Sequence, residues 1–125
     1  MFARLAMEAF CYLTTTGRRT GRLHTIEMWF ALEEGTLYCL AGGDDGADWV
    51  KNIRHDAGVR VRINTQTTPA RGRVVRAGTS EDALARRLLN EKYMGGAPGK
   101  RLSSWARTAL PVAIDLASDP SDRPG

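Results

Sequence analysis

The sequence predicts a mainly β domain with some helix, folded as a small antiparallel barrel of about six strands with short flanking helices. Three observations support this α+β fold class. Short segments rich in Thr, aromatic and other apolar residues recur along the chain. Short turns, several of them rich in glycine, connect most of these segments. A helical stripe of apolar residues precedes the last segment, and the sequence has no internal repeat.

The predicted strands cover 9–15, 23–32, 36–41, 59–63, 70–76 and 110–116. The second is the longest candidate, and its alternation places His24 and Met28 on one face and Trp29 on the other. Turns are predicted at 17–21, 33–35 and 65–69. Pro111 favours the start of a strand or an edge.

The predicted helices cover 1–8, 47–55, 79–93 and 100–107. Asp45 or Asp48 is expected to cap the second helix. Thr79 with Asp82, or Ser80, is expected to cap the third. Residues 117–125 carry Pro, Asp and Ser without an apolar anchor, which predicts a disordered tail after one domain, 1–116.

Length and charge bound the function. The 125 residues suit one domain, and the net charge of +4 is compatible with an anionic ligand or with nucleic acid. No apolar run reaches the roughly 20 residues of a membrane span, and the first residues lack a signal-peptide pattern, so a cytoplasmic protein is expected. Cys11 and Cys39 are predicted to be buried thiols, and no metal-ligand spacing surrounds them.

The run from Leu13 to His24 contains two glycines, three arginines and four hydroxyl groups between two predicted strands. Glycine allows close backbone approach, successive amides can cradle an anion, and arginine binds phosphate or carboxylate bidentately. This turn therefore predicts an anion site. The alternative is an exposed hairpin tip with solvated charges.

A second group of residues follows the third strand. Gly42 and Gly43 can let a flat ring approach the backbone, and Trp49 and Asn52 share one face of the predicted helix. Together they would suit a ring with polar edges. The alternative is a simple connection in which Trp49 lies in the core.

Tyr93 and Trp105 flank the glycine-rich segment 94–99. That segment could form a substrate lid, and Tyr93 could then donate or relay a proton. Core packing of either ring is the alternative. The sequence shows no convincing catalytic triad or carboxylate pair, so an enzyme of this kind would take its chemistry from a cofactor.

Five segments of the sequence resemble the deazaflavin-dependent nitroreductase family across about residues 10–116: TTTGRRTGR, the strand ending in Trp29-Phe30, GTLYCLAGG, DWVKNIR and VRVRI. The resemblance implies a split β-barrel similar to flavin-binding proteins, often a homodimer. It also implies coenzyme F-420, which in its reduced form passes hydride to nitro compounds, quinones or other activated double bonds.

Residue by residue, the resemblance implies cofactor contacts in four stretches: Thr14, Thr16, Arg18, Arg19, Thr20, Gly21, Arg22 and His24; Met28; Ala41, Gly42 and Gly43; Asp48, Trp49 and Asn52. Tyr93 and Trp29 are the implied catalytic residues, and Trp105 is the implied substrate-side aromatic residue. The substrate would be a small molecule.

Three alternatives remain at this stage. The same fold could bind FMN, because the arginines between Leu13 and His24 suit its terminal phosphate. The chain could carry the deazaflavin without turnover. It could also be a nucleic-acid-binding barrel, although its aromatic residues are few and lie near the glycine loops, which argues against nucleic acid.

Overall fold

A computed structural model describes residues 3–43, 46–95 and 101–117. These residues form one curled antiparallel sheet with three α-helices and a short 3₁₀ helix, Ala3–Met7. The strands are β1 Cys11–Thr16, β2 Leu23–Met28, β3 Ala31–Glu33, β4 Thr36–Ala41, β5 Gly58–Ile63, β6 Gln66–Val74 and β7 Leu110–Leu116. The helices are α1 Asp48–His55, α2 Ser80–Tyr93 and α3 Ser104–Thr108.

The order of strands across the sheet is β2-β1-β5-β6-β7-β4-β3. Each neighbouring pair is antiparallel, as the short turns predict. The predicted barrel-like fold is confirmed. The described strands number seven rather than about six because the predicted strand 23–32 is divided in two.

That division occurs at Trp29 and Phe30. The Phe30 amide donates to the Tyr93 hydroxyl at 3.0 Å, and the Phe30 carbonyl accepts from Lys92 Nζ at 2.9 Å. Side chains of α2 therefore satisfy the backbone where the strand is interrupted.

The turn predicted at 65–69 is wrong. The chain reverses at Asn64 and Thr65, where Asn64 has φ +55°, and β6 already begins at Gln66. Pro69 lies inside β6, opposite Arg60 of β5. The pairing of β6 with β7 starts at Ala70, so Pro69 has a strand neighbour on one side only, which is where a strand tolerates the missing N–H.

The helix starts were predicted in part. Thr79 caps α2 by accepting from the Asp82 amide at 3.2 Å, as expected. The capping role predicted for Asp48 is wrong, because Ala47 occupies the cap position and Asp48 is the first residue of α1. The other candidate cap, Asp45, lies outside the described residues, as do residues 96–100 of the predicted lid and the tail from 118 onward.

Two apolar cores lie on opposite faces of the sheet. The inner core lies inside the curl and includes Leu13, Val61, Ile114 and, from α1, Val50 and Ile53. The outer core packs α2 and α3 against the β4–β7 half and includes Tyr38, Ala85, Leu89, Ala106 and Ala113. This arrangement leaves the outer face of β1 and β2 without a helix. The turn that joins these two strands is therefore not covered by α2 or α3.

Both cysteines are free and buried in the inner core, as predicted. Burial raises the pKa of Cys11 to about 12 and raises that of Cys39 well above its ordinary value, so both are protonated thiols at neutral pH. The described part of the chain contains no cluster of His, Cys, Asp and Glu suited to a metal. No described helix has the length and apolarity to cross a membrane.

Candidate functional site

The arginine turn, residues 17–22, connects β1 to β2 and is closed by its own backbone. The Gly17 amide donates to the Arg22 carbonyl at 2.7 Å, and the Gly21 amide donates to the Gly17 carbonyl at 2.9 Å. Gly21 has φ +74°, which favours glycine. The Arg22 amide donates to the Thr20 hydroxyl at 3.2 Å. The turn therefore holds three arginines at one end of the hairpin.

Position 17 also requires a glycine, because a side chain there would clash with its neighbours. A Cβ atom at this position would lie 2.9 Å from His24 Nε2 and 3.1 Å from the Arg22 carbonyl oxygen. The imidazole of His24 thus packs directly against the backbone of the turn.

Helix α1 fixes Arg18. Asn52 Oδ1 accepts from the Arg18 amide at 3.2 Å and from Arg18 Nη1 at 2.9 Å, while Asn52 Nδ2 donates to the Thr15 hydroxyl at 3.2 Å. Arg18 Nη2 also donates to Asp48 Oδ1 at 3.3 Å. Asp48 and Asn52 lie one helical turn apart, so both reach the same arginine.

The turn, the hairpin and α1 enclose an open cavity of about 540 Å³. Its lining comes from all three elements: Thr15, Gly17, Arg18, Arg19, Thr20, Arg22, His24, Ile26, Asp48, Trp49 and Asn52. Three guanidinium groups against one carboxylate give this cavity a net positive charge. Such a donor set suits an anion, above all a phosphate.

Several predicted contacts lie elsewhere. Thr14 faces the outer side of the sheet, where its hydroxyl bonds that of Thr25 at 2.6 Å, and Thr16 alternates onto the same side. Met28 is half-buried against the inner core, and Ala41 is buried within it. Gly42 and Gly43 are exposed in the turn after β4. None of these residues lines the cavity.

The predicted aromatic residues form a cluster of three rings. Trp29 stacks on Tyr93 with 4.5 Å between ring centroids and 4° between planes. Trp105 meets Trp29 edge-on, with 5.4 Å between centroids. Trp29 keeps 38% of its surface exposed, so the cluster offers an aromatic face to solvent.

The hydroxyl of Tyr93 is engaged in hydrogen bonds. It accepts from the Phe30 amide at 3.0 Å, and the Ala9 and Phe30 carbonyls both lie 2.9 Å away as acceptors for its proton. Burial raises its pKa. Beside it, Lys92 lies over the Phe30 ring at 3.8 Å, and burial lowers the pKa of its ammonium group.

The cavity and the aromatic cluster lie at opposite ends of the β1–β2 hairpin. The register pairs Thr16 with Leu23 next to the arginine turn and Cys11 with Met28 next to Trp29. Six residues of strand separate the two ends, or about 20 Å at 3.3–3.4 Å per residue. The arginine-lined cavity and the aromatic surface are thus joined by one β-hairpin.

The sequence matches the model of the F420H2-dependent quinone reductase family over residues 2–117. The chain belongs to this family. It is an F420-dependent oxidoreductase, and its cofactor is coenzyme F-420, whose reduced form is the F420H2 of the family description. No curated protein matches the sequence.

Three solved structures are similar in fold to this family member. An F420-H2 dependent reductase (FDR-A) is 23% identical, with a TM-score of 0.64 over 87% of this chain and 94% of that one. A conserved hypothetical protein from Mycobacterium tuberculosis is 16% identical, with a TM-score of 0.75 over 94% and 79%. A structure described as a domain-swapped dimer is 23% identical, with a TM-score of 0.64 over 87% and 80%.

The residues of this family member fit the phosphate of coenzyme F-420. The arginine turn supplies guanidinium donors, and Trp49 places an aromatic side chain in the same cavity. Thr15 and Gly17 belong to the run predicted to hold an anion but were absent from the residue-by-residue contacts, and Ile26 was missed altogether. Alternation in β1 carries the signal for Thr15, because it lies on the same face as the buried Leu13.

Proposed function

We propose that this protein transfers hydride from reduced coenzyme F-420 to a small organic acceptor of the quinone, nitro or enone type. The observation that carries the proposal is the arginine-lined cavity at one end of the hairpin and the exposed aromatic cluster at the other. Hydride transfer requires the cofactor ring and the acceptor to lie within about 3.5 Å of each other, so the cofactor would extend from the arginine turn along the hairpin toward the aromatic cluster.

The chain's part in the reaction is binding and orientation. When bound, coenzyme F-420 supplies the hydride. Arg19 and Arg22 are exposed at the cavity, and Arg18 is fixed behind them by α1. We assign the phosphate to these three residues. Binding energy gained at the remote phosphate then helps to hold the reacting ring in position.

Trp29 and Trp105 are proposed to hold the acceptor. Their perpendicular rings form a corner, and the Tyr93 ring stacks on Trp29. An aromatic quinone or nitroarene would gain stacking energy on such a surface. Because the Tyr93 hydroxyl is bonded to the backbone, its role here is to orient Trp29.

We further propose that the protein is a homodimer. The sheet ends in two edge strands, β2 and β3, which offer unpaired backbone groups to a second chain. The likeness to a domain-swapped dimer supports association of this kind. Mass measurement in solution tests it directly, and a monomer at micromolar concentration contradicts it.

The deciding experiment is a titration of the purified protein with coenzyme F-420 and, in parallel, with FMN, followed by quenching of tryptophan fluorescence. Selective binding of coenzyme F-420 is expected. Selective binding of FMN would move the protein to the flavin-binding branch of the fold. Binding of neither would contradict the proposal.

A variant tests the phosphate assignment. Replacing Arg18 and Arg19 together by Ala removes two charge-assisted donors and should weaken F-420 binding about 100-fold or more. Arg60→Ala is the matched control, because it removes an exposed arginine opposite Thr14 on the outer sheet face. Equal affinity of the double variant and the control would contradict the assignment.

A further inference from the structure

Asn52 joins three separate parts of the site. It projects from α1 and is only 3% exposed. It bonds the end of β1 through Thr15 and the arginine turn through Arg18. Three of the four hydrogen-bonding positions of its amide are used inside the protein. Its capacity to bind a ligand directly is therefore small, although it borders the cavity.

Arg18 depends on this contact for its direction. Its other partner, Asp48, has a side chain that is 86% exposed and lies at 3.3 Å, so that ion pair is weakened by solvent. The contact with Asn52 is half-buried and engages both the amide and the guanidinium of Arg18. Without Asn52, the remaining partner would draw the guanidinium toward solvent.

We propose that Asn52 is a positioning residue of the anion site, which acts by holding Arg18 and the start of the arginine turn in the binding geometry before the ligand arrives. The ligand named in the test, coenzyme F-420, rests on the proposed function. Pre-ordering the turn lowers the entropic cost of binding, because a flexible arginine loses rotamer freedom when it contacts an anion.

The test is a double-mutant cycle on F-420 affinity with Asn52→Ala and Arg18→Ala. Each single variant is expected to weaken binding about tenfold. If Asn52 acts through Arg18, the double variant binds at least fivefold tighter than the product of the two single effects predicts. A smaller departure from that product, or unchanged affinity in Asn52→Ala alone, overturns the proposal.

A second cycle provides the matched control. Arg19 lies beside Arg18 in the same turn, and the described residues show no hydrogen bond between it and Asn52. Asn52→Ala and Arg19→Ala are therefore expected to combine within twofold of the product. Equal coupling in both cycles would indicate general damage to the turn and would overturn the specific role of Asn52.

Two further measurements keep the outcomes distinct. If Asn52→Ala does not fold, judged by circular dichroism and thermal unfolding, Asn52→Leu replaces it, because Leu keeps most of the volume without the hydrogen bonds. If the wild-type protein does not bind coenzyme F-420, the proposed function fails. Both double-mutant cycles are then repeated with the affinity for inorganic pyrophosphate as the measurement, under the same criteria. Equal pyrophosphate affinity in all variants overturns the positioning role of Asn52.

Discussion

At the scale of single residues, the site depends on a few side chains and glycines that hold other groups in place. Gly17 admits the His24 imidazole against the turn, Asn52 fixes Arg18, and Tyr93 supports Trp29. Each touches the backbone or ring of a residue that faces the ligand region. Substitutions at these positions should therefore change binding through geometry rather than through a lost contact.

Gly17→Ala is expected to weaken F-420 binding and to lower the free energy of unfolding by about 1–3 kcal/mol, because the added methyl group meets both His24 and the Arg22 carbonyl. Gly46→Ala is the control, since a Cβ there meets no atom of the described residues within 4 Å. Denaturant unfolding and fluorescence titration measure both effects. Equal behaviour of the two variants would show that the turn adapts.

Tyr93→Phe separates orientation from proton transfer. The variant keeps the ring that stacks on Trp29 but leaves the buried Phe30 amide without its partner, so a loss of about 1–3 kcal/mol in stability is expected. We expect kcat to stay within about tenfold of the wild-type value, with an unchanged pH profile. A loss of 10²–10⁴-fold in kcat would instead identify Tyr93 as the proton donor.

At the scale of secondary-structure elements, α1 is positioned by its contact with β6. A Cβ on Gly72 would lie 2.9 Å from Ile53 Cδ1 and 3.0 Å from Ile53 Cγ2. Helix α1 thus packs closely against β6 through the contact of Ile53 with Gly72. The same helix places Asp48, Trp49 and Asn52 at the cavity. The depth at which α1 packs therefore sets where the arginine turn is held.

Gly72→Ala should push α1 outward, lower stability by about 1–3 kcal/mol and weaken F-420 binding. Gly72→Ala combined with Ile53→Ala should recover part of the binding, because the side-chain atoms that clash are gone. The packing account would be contradicted if the double variant lost as much free energy of unfolding and of binding as the two single variants together.

The same scale shows what the sequence can predict. The bounds of β4 and β7 agree with prediction, since each is a short apolar run between clear turn or loop signals. The break between β2 and β3 could not be foreseen, because Tyr93 and Lys92, about sixty residues away, provide the backbone partners of Phe30. The arginine turn was visible in composition, whereas the position of Gly42 and Gly43 outside the cavity depends on how the whole sheet curls.

At the scale of the whole molecule, one polar network ties the outer helix layer to the sheet. Arg73 of β6 bonds both oxygens of Glu81 on α2, at 2.6 and 2.8 Å, and Asp115 of β7 at 2.7 Å. The Tyr38 hydroxyl of β4 donates to Glu81 at 2.7 Å. Strands β4 and β6 thus meet helix α2 at the Glu81 carboxylate, and Arg73 links this group to β7 through Asp115.

This network predicts loss of stability in acid. The Arg73 hydrogen bonds lower the pKa of Glu81 from 4.5 to about 2. A carboxylate with a depressed folded-state pKa contributes stability above its unfolded pKa and loses it as pH falls from about 5 toward 2. Because Arg73 is 44% exposed, solvent screening limits the contribution to about 1 kcal/mol.

Denaturant unfolding at pH 7 and pH 3 measures the contribution of the Glu81 carboxylate to stability. The wild-type protein should lose more stability between these pH values than Glu81→Gln does, whereas Glu33→Gln, at an exposed position beside the β3–β4 turn, should behave as the wild type. Identical pH dependence in Glu81→Gln and the wild type would contradict the role of Glu81.

The separation of the cavity from the aromatic cluster has an evolutionary consequence. The residues proposed to bind the cofactor phosphate lie in the first half of the chain, in the arginine turn and α1, whereas two of the three clustered aromatic residues, Tyr93 and Trp105, come from the second half. Substitutions in α2 and α3 can therefore diversify the acceptor while the cofactor remains the same. Modularity of this kind would let one scaffold acquire new reductase specificities by gradual change.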